Sequence, residues 1–88
     1  MGNDFSIGIV NFGAGARNKM RIHTSDQVLF VTIGKGIIVT DAAEEVITTG
    51  DVVHVSAGEK HWHGATADSA FSPIALTAKG SRTTQVED

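Results

Sequence analysis

Arg21, His23 and Gln27 fall within seven residues of one another, and His61 and His63 stand two apart in a later stretch. Alternate side chains of an extended strand share a face, so Arg21 points with His23, and His61 with His63. If the two stretches meet, they bring two or three imidazoles, one carboxamide and one guanidinium into a single interior. That set admits two chemistries. Imidazole nitrogens with an amide oxygen suit a divalent transition metal, such as Mn, Fe, Ni, Cu or Zn, without choosing among them. A guanidinium instead grips a carboxylate or phosphate through paired N–H groups. The two compete, because one unit charge pair at ~4 Å and an effective dielectric near 20 is worth about 4 kcal/mol, so a divalent ion beside Arg21 meets about twice that in repulsion. Either Arg21 turns away, paired to a carboxylate such as Asp26, or the pocket works without a metal. The chain contains no cysteine, so any metal is held by nitrogen and oxygen alone.

The elements that position these residues read as strands. Gly, Asp, Ser and Ala clusters recur at short intervals, and between them lie segments rich in Val, Ile, Thr and Phe, the pattern of an all-β sandwich or barrel. Strands are expected near 5–12, 18–24, 27–33, 36–41, 44–48, 52–56, 60–65 and 71–78, with helix nearly absent. Gln27, Leu29, Val31 and Ile33 share one face of their strand, and Val28, Phe30 and Thr32 the other. Apolar residues on both faces imply that the outer face is also covered, as a homodimer built by sheet packing or strand exchange would do. His54 is expected on the outer face, Trp62 outward at a subunit contact, and Asp51 in a turn. Eighty-eight residues make one domain, residues 1–88, with a core over about 5–78 and a polar tail, 79–88, that frays.

The spacing carries a resemblance. Gly15, Arg21, His23, Gln27 and Gly34 reproduce the spacing of the first motif of the cupin superfamily, and Gly50, Ser56, Gly58, His61 and Ala65 that of the second. The resemblance implies a cupin-type double-stranded β-helix, or jelly-roll barrel, of the small single-domain kind. It further implies that His23, Gln27 and His61 are metal ligands, with Gln27 in place of the family's usual glutamate. Arg21 stands where the family usually has a histidine, which makes the first metal motif degenerate; Ser56 and Ala65 stand where proline and asparagine are usual. In this reading His63 and Arg21 are the catalytic residues, one moving a proton and the other clamping an anion.

A formal charge of −3 offers no basic field for nucleic acid or anionic lipid, and no apolar run approaches the ~20 residues of a membrane span. The opening Met1 to Ser6 fits a loose N-myristoylation pattern, but one acyl chain without a polybasic segment anchors poorly. The expected setting is the cytoplasm and the expected partner a small-molecule ligand. The resemblance implies oxygenation, isomerisation or decarboxylation at a metal. The alternatives are a metal-free module that binds a small carboxylate or phosphate through Arg21, and a non-catalytic structural or regulatory dimer.

Overall fold

The computed structural model describes residues 4–87, and every regular element in them is a strand. Gly2 of the acylation pattern lies outside the described residues. The strands are β1 (Phe5–Ile9), β2 (Arg21–His23), β3 (Gln27–Thr40), β4 (Glu44–Thr48), β5 (Val52–Val55), β6 (His61–Ala65), β7 (Phe71–Ala78) and β8 (Thr83–Gln85). All pairings are antiparallel, in the order β1-β7-β3-β6-β2-β8, with β4 and β5 also on β3. The result is the curled sheet of a double-stranded β-helix. Among the described residues no helix is long and apolar enough to cross a membrane.

The two strands expected over 27–33 and 36–41 are one. Glycine punctuation at Gly34 and Gly36 bends β3 without ending it, because the ladder finds new partners on either side. Before the bend β3 pairs with β5 and β7, and after it with β4 and β6. Gly34 has φ 89°, and a Cβ there would collide with the Ala70 carbonyl, so no other residue fits without moving the β3–β7 crossing. A bulge between Val31 and Ile33 also resets the side-chain alternation. Ile33 therefore leaves the inner face it was expected to share with Leu29 and Val31, and is 67% exposed.

The inner layer consists of Leu29, Val31, Ile38, Ile47, Val55 and Phe71, each at most 5% exposed, and each worth about 1.5–3 kcal/mol of apolar burial. Phe12 stacks on Phe71 with centroids 5.8 Å apart and closes one end. The tail corrects a second expectation. Instead of fraying from residue 79, the chain turns at Gly80 and adds β8 to the edge of β2, pairing Thr83 with His23 and Gln85 with Arg21. Its polar, exposed residues read as tail because their partners are backbone groups far away in sequence. Asp51 is the expected turn residue, its Oδ2 accepting from the Thr48 N–H at 2.8 Å.

Replacing Gly34 by alanine is expected to cost about 2–3 kcal/mol, from a forced positive φ combined with a backbone collision. Thermal unfolding should show a midpoint at least ~10 °C lower than wild type.

Candidate functional site

Register brings the sequence-selected residues together. Arg21 lies directly opposite His61, Thr40 opposite His61 on the other side of β6, and Ile38 opposite His63. Gln27 enters from the other half of β3, where it lies opposite Val55 and Thr77. His23, Gln27, His61 and His63 are all at most 8% exposed. The ring centroids of His23 and His61 are 5.0 Å apart, and those of His61 and His63 6.0 Å, nearly parallel.

Hydrogen-bond partners fix which ring atoms face the interior. Around His63 the assignment follows from the backbone: its N–H donates to Asn18 Oδ1 at 3.0 Å, which leaves the Asn18 amide nitrogen to donate to His63 Nε2 at 3.2 Å. The ring proton of a neutral His63 is then on Nδ1, which is buried and has no hydrogen-bond partner among the described residues. His61 has two oxygen neighbours, the Glu59 carbonyl 3.2 Å from Nδ1 and Gln27 Oε1 3.2 Å from Nε2. A neutral ring donates to one of them only. The backbone carbonyl is a fixed acceptor whereas the Gln27 amide can turn, so Nδ1–H goes to Glu59 and the Nε2 lone pair faces the pocket. His23 Nδ1 meets Thr83 Oγ1 at 2.8 Å, and its Nε2 is buried and unpartnered.

Burial holds all three imidazoles below their ordinary pKa, His63 at about 3. Desolvation is the main cause for each, and the positive charge of Arg21 adds to it. The rings are neutral at pH 7, the state in which imidazole accepts a metal. Among the described residues no group of three or more His, Cys, Asp or Glu side chains is placed to hold a metal ion. The donors that fit one are mixed: Nε2 of His23, Nε2 of His61 and the amide oxygen of Gln27, which lies 3.2 Å from His61 Nε2. His63 is not among them, since its Nε2 is held by Asn18.

Arg21 is half-buried at the rim, its Nε donating to the Lys19 carbonyl at 2.8 Å. Asp26 is not its partner. That carboxylate instead takes His54 Nε2 at 2.9 Å and caps the Ala57 N–H at 2.8 Å on the outer face, where His54 was expected. Among the described residues no carboxylate pairs with Arg21. Trp62 faces outward, but its ring is covered within the chain by the Arg17 guanidinium, 4.3 Å from the ring centroid. A cavity of about 260 Å³ opens between β4 and β5, with Ile38, Val53 and Val55 as its apolar wall and Glu45 and Glu59 at its lip. Asn18 and Thr83 went unnoticed in the sequence. Both are small polar residues in segments without periodicity, and only the pairing of β2 with β8 and the approach of 18 to 63 give them a role.

Residues 8–75 match the sequence model of the family described as "Cupin domain". Over 68 residues the chain is 44% identical to (R)-mandelonitrile lyase of Granulicella tundricola, a match covering 76% of this chain and 52% of that protein, so the chain spans about half the length of its curated relative. The fold superimposes on a cupin-like protein of Thermotoga maritima with a TM-score of 0.92 and 27% identity, covering 98% of this chain and 67% of that one. It also superimposes on a polyketide cyclase of Streptomyces resistomycificus, TM-score 0.87, at 12% identity over 99% of this chain and 63% of that one, a likeness of fold alone.

Because His63 stays neutral in the folded state down to pH ~3 while the unfolded chain takes up a proton near pH 6.5, stability is complete above pH 6.5 and lost as the pH falls below it. Chelator-treated protein is expected to be roughly 2.5 kcal/mol less stable at pH 4.5 than at pH 7 from this group alone. In urea titrations at both pH values, His63→Gln should lose that part of the difference.

Proposed function

The chain belongs to the cupin domain family, and on that premise we propose that it is a metal-dependent lyase acting on a small hydroxylated organic molecule. His23, Gln27 and His61 hold a divalent transition metal, and His63 and Arg21 act on the substrate. The observation that carries this reading is the meeting of the Gln27 amide with the buried His61 Nε2 at 3.2 Å, beside the His23 ring 5.0 Å away, with Nδ1 of each ring already engaged. A bound ion would supply Lewis-acid polarisation of the substrate oxygen. The reaction class is taken from the relative's name: mandelonitrile cleavage parts a carbon–carbon bond at a hydroxyl-bearing carbon, giving an aldehyde and hydrogen cyanide.

The chain's own residues have distinct parts in this chemistry. His63 is too weak a base to take the hydroxyl proton, with its conjugate acid at about pKa 3 and its Nε2 occupied by Asn18. It is a donor: Nδ1–H offers a neutral hydrogen bond to the charge on the departing cyanide, and the substrate's hydroxyl proton passes through water to that cyanide, so that aldehyde and hydrogen cyanide leave as neutral products. Arg21 adds positive potential from the rim.

One observation favours a second reading. The Arg21 guanidinium keeps N–H groups without a carboxylate among the described residues, which suits a metal-free pocket gripping a small carboxylate or phosphate. Elemental analysis of untagged protein, purified without chelator, separates the two. The lyase reading predicts close to one metal equivalent, a His61→Ala variant holding less than a tenth of that, and tighter binding in Arg21→His. It also predicts that metal-loaded protein cleaves (R)-mandelonitrile faster than the His61→Ala variant does. Metal below a tenth of an equivalent in wild type, unchanged by added Mn, Fe, Ni, Cu or Zn, would leave the anion-binding reading.

The same premise extends to assembly as a homodimer. On the outer face of the first sheet, Ile7, Leu76 and Val28 form one cross-strand row, and Ile9, Ile74, Phe30 and Val52 a second. Phe5, Ile7, Ile9 and Val52 are each more than 60% exposed, so β1 turns its apolar side away from the barrel. A second copy of this sheet, packed face to face, would bury both rows. Light scattering during size exclusion is expected to give twice the chain mass for wild type and the single mass for Ile9→Lys with Phe30→Lys; a monomeric wild type at ~100 μM would sink the dimer.

A further inference from the structure

β8 lies beyond the family-matched residues 8–75, yet this exposed edge strand pairs with the strand that carries His23. Thr83 pairs in register with His23, and its Oγ1 stands 2.8 Å from Nδ1 of that ring. Thr83 is itself held. One residue earlier, the Arg82 N–H donates to Thr24 Oγ1 at 2.9 Å and the Arg82 carbonyl accepts from the Thr24 N–H at 3.0 Å, closing a two-way clamp beside the site. After β8, the Val86 N–H donates to the Met20 carbonyl at 2.9 Å, and the Glu87 carboxylate accepts from the Met20 N–H and from Arg17. Arg17 in turn lies over Trp62, the residue between the two β6 histidines.

The ring of His23 needs this support. Its far nitrogen, Nε2, is buried without a hydrogen-bond partner among the described residues, and its neighbour His61 is a ring tilted by 42° with its centroid 5.0 Å away. The Thr83 hydroxyl is the only side chain of the described residues that bonds Nδ1. A hydroxyl both donates and accepts, so it can take the Nδ1 proton and leave the Nε2 lone pair for the pocket, or give its own proton to Nδ1 when Nε2 carries one.

We propose that Thr83 is a positioning residue: from outside the family-matched barrel it fixes the orientation of the His23 ring so that Nε2 faces the pocket. The proposal rests on the reading of His23 as a pocket donor, and it acts through His23, never on the substrate.

The experiment compares wild type, Thr83→Val and Thr83→Ser by two readouts, with thermal unfolding confirming that each variant is folded. In metal-free protein, long-range ¹⁵N–¹H NMR of the His23 ring reads the tautomer and the Nδ1 hydrogen bond. Thr83→Val is expected to shift the Nδ1 resonance through loss of its hydrogen bond, and Thr83→Ser to restore the wild-type signature. In the second arm, Zn²⁺ titration is expected to give about tenfold or weaker affinity for Thr83→Val, with Thr83→Ser near wild type. Wild-type His23 resonances in Thr83→Val would overturn the proposal, as would unchanged Zn²⁺ affinity in a protein that binds it. If wild type binds no Zn²⁺ but the NMR arm behaves as expected, Thr83 keeps its role and the metal-dependent reading falls alone.

Discussion

Strand β3 pairs with four other strands, and no other element touches so many. Its first half builds one sheet and its second half the other, so the angle at Gly34 sets the relation between the walls of the barrel. Gln27 hangs from the first half, whereas the β6 histidines are placed by the second. The approach of Gln27 Oε1 to His61 Nε2 therefore depends on a bend made possible by a missing side chain. A sandwich of two independent sheets would tolerate small shifts between its layers. Here a change at the bend moves the amide relative to the ring it must meet.

The second constraint is desolvation. Three imidazoles in a barrel of this size are costly unless their nitrogens find partners, since an unpaired buried polar group costs about 1–3 kcal/mol. The chain meets this with groups from widely separated segments: the Asn18 amide, the Glu59 carbonyl and the Thr83 hydroxyl, together with Gln27. Each engages one nitrogen of a ring, and the nitrogens left over on His23 and His63 are buried without partners. A structure selected for stability alone would satisfy them or replace the rings by apolar groups.

Much of this was legible in the sequence, for definite reasons. The period-two alternation told which side chains share a face: Arg21 lies opposite His61, and His23, His61 and His63 are all buried. The motif glycines Gly15, Gly34, Gly50 and Gly58 all have positive φ, the property that makes glycine readable as punctuation. What failed were statements that depend on long-range partners. Gly34 and Gly36 looked like a strand boundary because a bend and a break have the same local composition. Alternation alone places Ile33 inward, because a bulge leaves no trace in it until the opposite strand is known. Residues 83–85 looked like tail because an edge strand bonded through its backbone needs no apolar side chains. Asp26 was offered to Arg21 by proximity in sequence, whereas the backbone amide of Ala57 and the ring of His54 claim it.

The departures from the family's usual ligand set have one electrostatic direction. Glutamate gives way to neutral Gln27, and a neutral imidazole to the cationic Arg21, so the pocket is two unit charges more positive than the usual arrangement before any ion enters. Part of this is offset at a distance by Glu45 and Glu59 at the cavity lip. The interior itself holds only neutral rings, kept neutral by burial and by Arg21. Such a pocket binds a cation less readily than a carboxylate-bearing one, but it stabilises negative charge that appears inside it more strongly, because no fixed anion opposes that charge. Lyase chemistry at a hydroxyl-bearing carbon develops negative charge on the oxygen and on the departing group, whereas the charge of a resting substrate alcohol is zero. In the lyase proposed above, the same positive excess would weaken metal binding at rest and act selectively on the transition state, lowering the barrier.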